Sequence, residues 1–547
     1  MVSLVPQEDR PTPSSVYNWR LYCCAFVAAS AAILIGYDSA FIGSTMALPS
    51  FKAEFRLTDQ FYSAEALRNI NANIVSCYQA GAILGALLVY PAGQLLGRKW
   101  GMLVTAIIFE LGAGIMLAAK GSVGLGPIYA GRVIAGLGVG AASNLAPLYI
   151  SEVAPPSIRG MLIGAYELGW QIGGLVGFWL PYGVNQNLSG HVQWITPFAV
   201  QLIPGGLFLL GIPFFIKESP RWLISRGRRE EAIQNLCYLR KLNSDDNYMI
   251  EELNQIDTQV EQDQAVVGTS FWGPFRLVFS NWHLLRRMLI VTSLFMFQNG
   301  TGINAINYYS PRIFASLGIT GTSTALLTTG VFGVIKTVGA LVWIFFVIDR
   351  WGRVNILLLG AAGGAVSMFA IAAYIKIENP AANPTSDLTA GGKASLFFFY
   401  LWTIFYAVSW NGTPWVVCAE SFGSSVRQVT QMFAAMSNWV FNLAIARATP
   451  QMFAEMGAGG YGVYLFFASM MIVSIPYIIF FLPEGKGVPL ESMDVLWSQK
   501  NVWRANKIVM EGLRREHDAT GNPQLLHQEK NTGSTEQVER ASSDIKV

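Results

Sequence analysis

The sequence predicts an all-α integral membrane protein whose twelve transmembrane helices form two six-helix bundles. Three observations predict this fold class. First, 52% of the 547 residues are hydrophobic and only 13% are charged, whereas a soluble chain carries about 25% charged residues. Second, there are twelve apolar segments of about 20 residues, the length that crosses about 30 Å of hydrocarbon as a helix. Third, similar motifs recur in the same order after the second, fourth and sixth segments and after the eighth, tenth and twelfth.

The spans follow one another closely within each half of the chain. Residues 1–21 are polar and lack a cleavable signal pattern, so the first apolar segment is expected to remain as a span. In chain order, the spans are predicted near residues 22–45, 70–92, 100–119, 126–149, 161–183, 194–216, 288–310, 322–348, 354–375, 395–418, 429–453 and 460–482.

Polar regions lie before, between and after the two bundles, which are predicted over 22–216 and 288–482. Residues 217–287 are expected to form a linker with amphipathic helices, and residues 483–547 a largely disordered tail because polar residues dominate its end. Of the 37 Lys and Arg residues, 27 lie on the side of the linker and both termini, seven on the opposite side and three within spans. The positive-inside rule therefore predicts a cytoplasmic segment at 1–21, a cytoplasmic linker and a cytoplasmic tail.

Matched motifs indicate that the two halves arose by duplication. GRKWG (97–101) after the second span matches DRWGR (349–353) after the eighth. Glu152 and Arg159 match Glu420 and Arg427, with the same spacing of seven residues, and KESPR after the sixth span answers PEGKG after the twelfth. Transporters are commonly built from repeated bundles around a site near the membrane midplane.

Four further segments accompany these motifs: RVIAGLGVG (132–140), PLYISE (147–152), TGINAINYYSPRIF (301–314) and PWVVCAE (414–420). As a set, all of these motifs resemble those of the sugar porter family of the major facilitator superfamily. The resemblance covers about residues 18 to 490. It implies the major facilitator fold and transport by alternating access. Within the family, the segments EDRPTPSSVYNWR, GYDSAFIGSTMALPSF and YELGWQIGGLVGFW are similar to those of fungal quinate permeases. That similarity implies proton-coupled import of quinate across the plasma membrane.

Arginines and carboxylates cluster at the predicted inner ends of the spans. Bidentate pairs between them can hold the two bundles together when the inner side is closed; for any one arginine, orientation by the positive-inside rule alone is the alternative. Gln94 stands where the family usually has an aspartate, and Gly485 replaces a threonine. The candidate inner-gate residues are Arg98, Glu152, Arg159, Glu218, Arg221, Asp349, Arg353, Glu420, Arg427 and Glu484.

Charged residues inside spans are costly and need partners or a function. At about 1.5 Å per residue, Asp38 and Arg132 lie at matching depths in the outer third of their spans. The resemblance implies that this pair is the proton switch. The chemistry fits, because drawing the arginine away from an aspartate in a dry site favours the protonated acid. A static pair that only joins helices is the alternative. For Glu110, midway along the third span, pairing or a shielded interface is expected.

Glu167 and Lys336 lie at similar depths, each about 9 Å from the inner edge. Sugar porters usually have a glutamine at the position of Glu167, where it contacts sugar hydroxyls. Lys336 is predicted to face Glu167, a ligand carboxylate or both, or to snorkel outward. Alignment on DRWGR places the substrate-binding asparagine of the family at Thr337, and a neighbouring residue points about 100° away on a helix.

Further polar residues suit a hydroxylated ligand, which needs converging donors and acceptors and an aromatic face. In the seventh span, Gly300 and Gly302 can break the helix. Arg447, in the outer third of the eleventh span, is predicted either to attract an anion or to snorkel. The resemblance places further substrate-binding residues at Gln298, Asn299, Asn304, Asn307, Tyr308, Trp415 and Asn438; for each amide, a hydrogen bond between helices is the alternative.

No metal-ligand cluster, catalytic nucleophile or phosphate-binding loop is recognisable, so no cofactor, metal or enzymatic activity is expected. The balanced charge argues against nucleic-acid binding. NLS (187–189) predicts a glycosylation site at Asn187 in an outer loop. The sequence thus predicts a proton-coupled quinate importer in the lipid bilayer. A proton-coupled neutral monosaccharide transporter and a nutrient sensor without transport activity are the alternatives.

Overall fold

The computed structural model describes residues 12–268, 270–319, 321–380, 382–383, 388–489 and 492–521. Within these ranges the regular elements are helical, which confirms the all-α prediction. The first half contains α1 (Trp19–Ala47), α2 (Pro49–Glu54), α3 (Ala64–Leu95), α4 (Gly97–Met116), α5 (Gly126–Val153), α6 (Arg159–Asn187), α7 (Gly190–Val200) and α8 (Leu202–Phe215).

The linker and the second half continue the helical series. The linker contains α9 (Pro220–Ser225), α10 (Arg229–Arg240), α11 (Asn247–Val267) and α12 (Gly273–Ser280). The second bundle contains α13 (Trp282–Gly300), α14 (Ile303–Ser316), α15 (Thr322–Val342), a π-helical turn (Trp343–Val347), α16 (Ile348–Trp351), α17 (Arg353–Glu378), α18 (Ala390–Ala407), α19 (Thr413–Glu420), α20 (Ser424–Glu455) and α21 (Tyr461–Phe481). The tail contains α22 (Met493–Ser498) and α23 (Val502–Gly521).

Each of the twelve predicted spans coincides with one helix or with consecutive helical segments. In the described residues, eight spans are long and apolar enough to be recognised as membrane helices by length and composition. The other four are the fifth (α6), the seventh (α13 and α14), the tenth (α18 and α19) and the eleventh (α20). These four are broken or carry internal polar residues, and most of the predicted substrate-binding residues lie on them. Polar or irregular backbone at membrane depth is tolerated where it lines a cavity.

The outer surface of the two bundles is strongly apolar. Large side chains such as Leu210, Phe214, Val366 and Phe480 are at least 63% exposed. Exposure of this kind is unfavourable in water and is expected where the surrounding solvent is lipid. The buried apolar side chains form three large clusters, each centred on one bundle and each including a few side chains of the other.

The two ends of the molecule differ in how closely the bundles approach. Helix α3 packs against α20 along its length, with Arg68 donating to Gln451 at the end away from the linker, and α1 packs against α14. At the linker end, a cavity of about 1660 Å³ opens between the bundles, lined by Arg159, Arg221, Arg353 and Arg427 among others. The structure is therefore open toward the linker and closed at the opposite end.

The same set of contacts stabilises the linker end of each bundle: an arginine at a helix start binds one glutamate through its side chain and a second glutamate through its backbone N–H. We call this set the clamp. Arg98 donates two hydrogen bonds to the carboxylate of Glu152, at 2.7 and 2.9 Å. The backbone N–H of Arg98, at the start of α4, donates to Glu218 at 2.7 Å. Gly97 precedes it with φ +88°, and a Cβ there would lie 2.5 Å from the Glu218 carboxylate. Burial raises the pKa of Glu218, while its backbone donors act in the opposite direction.

The second bundle repeats this clamp with the residues that the duplication predicts. Arg353 donates to Glu420 at 2.7 and 3.1 Å. Glu484 accepts from the backbone N–H groups of Arg353 and Val354 at the start of α17. Gly352, at φ +82°, takes the place of Gly97. Carboxylates at helix N-termini are stabilised by the exposed N–H groups and the helix dipole.

The predicted inner-gate pairs concern the closed state of the linker end and remain a prediction, since the structure is open at that end. Both arginine–glutamate pairs join helices of one bundle rather than the two bundles, because each glutamate lies near the end of one helix, beside the start of an earlier helix of the same bundle. Among the described residues at this end, one contact joins the bundles directly, and another, which includes the predicted gate residue Arg221, passes through the linker helix α11. Gln94 donates to Gln428 at 2.8 Å, and Asp263 of α11 accepts from Arg221 and from Ser424. The side chain of Asp349 lies outside what the structure describes.

Replacing Glu152 with glutamine is expected to lower stability. It leaves Arg98, whose side chain is 7% exposed, without its charged partner, and breaking a buried pair costs about 3 kcal/mol. Glu420→Gln is the matched variant, and its smaller expected loss follows from the 26% exposure of the Glu420 side chain. Thermal unfolding of the purified protein in detergent measures both. Equal melting temperatures for wild type and Glu152→Gln would contradict the clamp.

The described part of the tail contains two helices. Residues 493–498 and 502–521 form helices, although a largely disordered tail was expected over 483–547. The reason is a small apolar cluster that includes Met493, Leu496, Ala505 and Val509. Asn506 also donates to the carbonyl groups of Glu484 and Lys486 at 2.9 Å. Residues 522–547 lie outside the described residues.

Candidate substrate-binding site

A small cavity of about 70 Å³ lies between the bundles. Five of its lining residues, Glu167, Trp170, Trp415, Asn438 and Trp439, also line the large cavity, so the small one lies at its deep end. It brings together nine of the eleven predicted substrate-binding residues: Glu167, Gln298, Asn299, Asn304, Asn307, Tyr308, Lys336, Trp415 and Asn438. Thr337 and Arg447 are not among its lining residues.

The amide wall of the cavity depends on the break in the seventh span. α13 ends at Gly300, and Gly302 at φ +95° precedes α14. Asn299, just before the break, donates to Asn438 Oδ1 at 3.0 Å and accepts from Asn304. Gln298 donates to the carbonyl groups of Trp410 and Asn411, which lie in the break between α18 and α19. The amides thus support both broken spans and converge on one cavity.

Aromatic side chains complete the wall. Trp415 makes an edge contact with Phe295, with ring centroids 4.6 Å apart. Trp170, Tyr406 and Trp439 line the same cavity. Aromatic faces of this kind pack against the C–H surface of a carbocyclic or sugar ring, while amides bind its hydroxyl groups.

Glu167 and Lys336 both line the cavity but do not form an ion pair. Glu167 Oε1 accepts hydrogen bonds from Gln171 Nε2 at 2.8 Å and from Asn411 Nδ2 at 3.0 Å. Lys336 is 8% exposed. Among the described residues its ammonium makes no hydrogen bond, and the charge that acts on it is that of Glu167. Of the alternatives for Lys336, an outward orientation is wrong, and direct pairing with Glu167 does not occur in this conformation.

Thr337 requires a correction. Its hydroxyl donates to the carbonyl of Gly333 on its own helix at 2.8 Å, and Lys336 lines the cavity in its place. The π-helical turn Trp343–Val347 lies between these residues and DRWGR. A π turn accommodates an extra residue, so residues upstream of it are rotated by about 100° relative to uninterrupted α-helical counting.

Arg447 also lies elsewhere than expected. It is exposed on α20 near the closed end. Its guanidinium donates to Asn73 Oδ1 at 2.9 Å and to Asn69 at 3.3 and 3.4 Å. Because Asn69 and Asn73 belong to α3, Arg447 joins the two bundles at the closed end and does not reach the substrate cavity. The fork of donors that suits a carboxylate also suits two neighbouring amides.

Substituting Arg447 with alanine is therefore expected to leave the affinity for the transported ligand within about threefold, a difference below 1 kcal/mol. The change removes contacts between the bundles at the end away from the linker, so access of a membrane-impermeant thiol reagent, applied from that side, to a cysteine placed at Ser39 should increase. Ligand binding and labelling of the Ser39→Cys protein, with and without the arginine, measure the two effects. A tenfold loss of affinity with unchanged labelling would show that Arg447 contributes to ligand binding and not to closure.

Asp38 and Arg132 lie together as the sequence predicted. Arg132 Nη1 and Asp38 Oδ1 are 3.4 Å apart, and both side chains are fully buried. The guanidinium lies over the ring of Tyr78, 4.7 Å from its centroid. Asp38 Oδ2 and two of the guanidinium nitrogens have no hydrogen-bond partner in the described structure. A pair that is held by a single long contact can separate at a lower cost than a bidentate pair.

The remaining candidates lie outside the site. Glu110 faces Gly205 of α8, and its Oε1 is buried without a hydrogen-bond partner in the described structure. Of the two expectations, an ion pair does not form among the described residues, and the contact with α8 fits a shielded interface. Asn187 is the last residue of α6, is exposed, and donates to the carbonyl of Gly183. Its glycosylation remains a prediction.

Several residues of the site were missed from the sequence. Asn411, Tyr406, Asn442, Ser39 and Trp170 all line the small cavity. For Asn411 the signal was present, because the sugar porter motif that Trp415 resembles usually has Gly-Pro just upstream, where this chain has Asn411 and Gly412. The others occupy helix faces whose orientation depends on the breaks in the spans, which the sequence does not specify.

Comparison with known proteins gives consistent matches over nearly the whole chain. The profile of the family described as sugar (and other) transporter matches residues 24–497. A protein of Neosartorya fischeri named probable quinate permease is 55% identical over 539 residues, which cover 98% of each chain. A protein of Aspergillus niger with the same name is 54% identical over 533 residues, covering 97% of this chain and 98% of its own.

The fold matches solved transporters. A proton:xylose symporter of the major facilitator superfamily, bound to 6-bromo-6-deoxy-D-glucose, superposes with a TM-score of 0.71 at 26% identity. The match covers 87% of this chain and 99% of the symporter. A partially occluded, inward-open xylose transporter from E. coli gives a TM-score of 0.70 at 24% identity, covering 86% of this chain and 100% of its own.

Proposed function

The chain belongs to the sugar (and other) transporter family, and from that premise we propose that it imports quinate, or a closely related hydroxylated cyclic acid, together with protons by alternating access. Its relatives are permeases, so the chain is a membrane transporter rather than an enzyme. The substrate, the coupling and the residues responsible are the subject of the proposal.

One observation carries the assignment of an acidic substrate: Lys336 presents a buried ammonium, without a hydrogen bond to any described residue, to a cavity lined by amides. A buried cation without a partner is costly, and a ligand carboxylate removes that cost on binding. A neutral sugar would leave the ammonium unpaired. The names of the relatives, probable quinate permease, support the same substrate class.

The rest of the cavity suits the hydroxylated ring of such an acid. Asn304, Asn307 and Asn438 offer donors and acceptors without full charge, and Trp415 offers an aromatic face. Glu167 Oε1 is occupied by two amide donors, which leaves Oε2 to accept from a ligand hydroxyl. The carboxylate of the ligand is then bound by Lys336 and its hydroxyls by the surrounding amides.

Proton coupling is assigned to Asp38 and Arg132. Ser39, next to Asp38, lines the substrate cavity, so rearrangement of α1 during alternating access moves the aspartate relative to Arg132. When the two separate in this dry environment, Asp38 takes up a proton. The likeness to a proton:xylose symporter supports a coupled mechanism.

We place the protein in the plasma membrane with both termini and the linker in the cytoplasm. The excess of Lys and Arg on the linker side supports this orientation. The large cavity then opens to the cytoplasm, so the structure corresponds to the state that releases substrate inside the cell. Asn187 lies on the outer side in this orientation and is a candidate for glycosylation.

Binding measurements on the purified protein test the proposal. Quinate and quinamide, its neutral amide, have the same ring and hydroxyl groups and differ in charge. We expect quinate to bind at least about tenfold more tightly than quinamide, and glucose to compete poorly, because only quinate pairs with Lys336. Equal affinity for quinate and quinamide, or tight binding of glucose unaffected by quinate, would contradict an acidic substrate and favour a neutral monosaccharide transporter.

A further inference from the structure

We propose that Asn411 is a specificity-determining residue: its side-chain amide holds the Glu167 carboxylate away from Lys336, so that Lys336 remains available for the carboxylate of the substrate. The inference rests on the proposed function and extends it to a residue that does not itself need to contact the ligand. It explains why an acid and a base can share one small cavity without neutralising each other.

The contact between Asn411 and Glu167 crosses from one bundle to the other. Glu167 lies on α6 of the first bundle, and Asn411 lies in the break between α18 and α19 of the second. Asn411 Nδ2 donates to Glu167 Oε1 at 3.0 Å, and Gln171, one turn after Glu167, donates to the same oxygen at 2.8 Å. The carboxylate is therefore directed by two neutral donors, although a cation lines the same cavity.

The backbone around Asn411 is fixed by its own hydrogen bonds. Its N–H donates to the carbonyl of Tyr406 at 3.1 Å, and its carbonyl accepts from Gln298 Nε2 at 2.9 Å. The next residue, Gly412, lies against the ring of Trp343, where a Cβ would overlap the indole. The break thus holds the Asn411 side chain in one place, and its amide can fix a partner on the opposite bundle.

Removal of this amide would change the charge available to the ligand. With Asn411 replaced by alanine, Glu167 keeps one neutral donor, and Lys336 is the cation that lines the same cavity. An ion pair between them is then the more favourable arrangement, because a charged donor binds a carboxylate more strongly than an amide does. The ligand carboxylate must compete with Glu167 for Lys336, whereas a neutral ligand is unaffected by this competition.

The test combines ligand binding with direct labelling of Lys336 in the full-length purified protein. The variants are Asn411→Ala, Glu167→Gln and the double variant. Asn442→Ala is the matched control, because Asn442 lines the same cavity and makes no hydrogen bond to Glu167 among the described residues. Quinate and quinamide are the ligands, and modification of Lys336 by a small amine-reactive reagent is followed by mass spectrometry.

In Asn411→Ala we expect quinate affinity to fall by about tenfold, because the ligand carboxylate must compete with Glu167 for Lys336, and quinamide affinity to change by less than about threefold. Labelling of Lys336 should slow, because an ion pair with Glu167 stabilises the unreactive ammonium. The double variant should recover both quinate affinity and labelling to the levels of Glu167→Gln, and Asn442→Ala should leave the labelling rate as in wild type.

Two results would overturn the inference. Unchanged labelling of Lys336 in Asn411→Ala would show that the amide does not keep Glu167 from the lysine, whether or not quinate binds. Equal losses for quinate and quinamide, without recovery in the double variant, would make Asn411 a direct ligand contact or a structural residue. If wild type fails to bind quinate while Asn411→Ala slows the labelling, the proposed substrate is wrong and the role of Asn411 stands.

Discussion

Replacement of Lys336 by methionine is expected to lower quinate affinity by about 100-fold and to abolish quinate uptake at concentrations that saturate the wild-type protein. Methionine keeps much of the volume and removes the charge. Loss of a buried partner for a carboxylate costs about 3 kcal/mol, since the ligand charge is left unpaired in a cavity of low polarity. Quinamide, which has no charge to pair, should bind to the variant about as well as to the wild type.

Two further variants distinguish this account from a structural role of the lysine. Thr337→Val changes the adjacent residue, whose hydroxyl is occupied within its own helix, and should leave quinate affinity within about threefold. Adding Glu167→Gln to Lys336→Met should not restore quinate binding, because Glu167 and Lys336 are not paired in the structure. Recovery in that double variant would mean that the lysine serves to neutralise the glutamate and does not bind the ligand.

Replacement of Asp38 by asparagine is expected to abolish accumulation of quinate against its gradient while exchange of quinate across the membrane continues. Asparagine preserves the shape of the side chain but cannot take up and release a proton. The variant should therefore equilibrate substrate, with uptake that no longer depends on an imposed pH difference. Proteoliposomes loaded with unlabelled quinate measure exchange, and empty proteoliposomes under a pH gradient measure accumulation.

The substitution also leaves Arg132, which is fully buried, without its acid, and such a loss can cost about 3 kcal/mol of stability. Exchange activity and a melting temperature recorded on the same preparation show whether the variant is folded. Ser39→Ala, one residue along α1, is the matched control and should keep the pH dependence. Accumulation of quinate by a folded Asp38→Asn protein at the wild-type level would show that Asp38 is not required for proton coupling.

The architecture was largely predictable because it depends on the solvent. Apolar segments of membrane length, separated by charged loops, can satisfy their backbone in lipid only as helices, and the structure has a helix or consecutive helices at each predicted span. The clamp residues were predictable for a different reason. Duplication repeats a local motif, and the Arg98–Glu152 pair recurs as Arg353–Glu420.

The orientation of individual side chains was less predictable, since it depends on interruptions in the helices. A π-helical turn separates Lys336 and Thr337 from the DRWGR motif on which they were aligned, and Lys336, not Thr337, lines the cavity. The break that supplies Asn411 is held by Gln298, from a segment more than 100 residues earlier in the chain. Depth estimates placed Glu167 and Lys336 at the same level, but could not show that amide donors occupy the glutamate.

The predicted role of Arg447 failed for a related reason. Its predicted position along the helix was correct, but its hydrogen-bond partners, Asn69 and Asn73, lie on α3 of the other bundle. Which residues of the two bundles meet at the closed end depends on the conformation of the transporter. The sequence does not specify which of these conformations the structure represents. The inner-gate pairs show the same effect, because the structure is open at that end.

Uptake of labelled quinate into proteoliposomes under an imposed pH gradient tests the central claim most directly. The account predicts that the purified protein accumulates quinate above the external concentration when the outside is acidic, and that an ionophore that collapses the gradient abolishes the accumulation. Absence of quinate flux from a folded protein that binds quinate would contradict transport and favour a sensor. Uptake of glucose that quinate does not inhibit would contradict the acidic substrate.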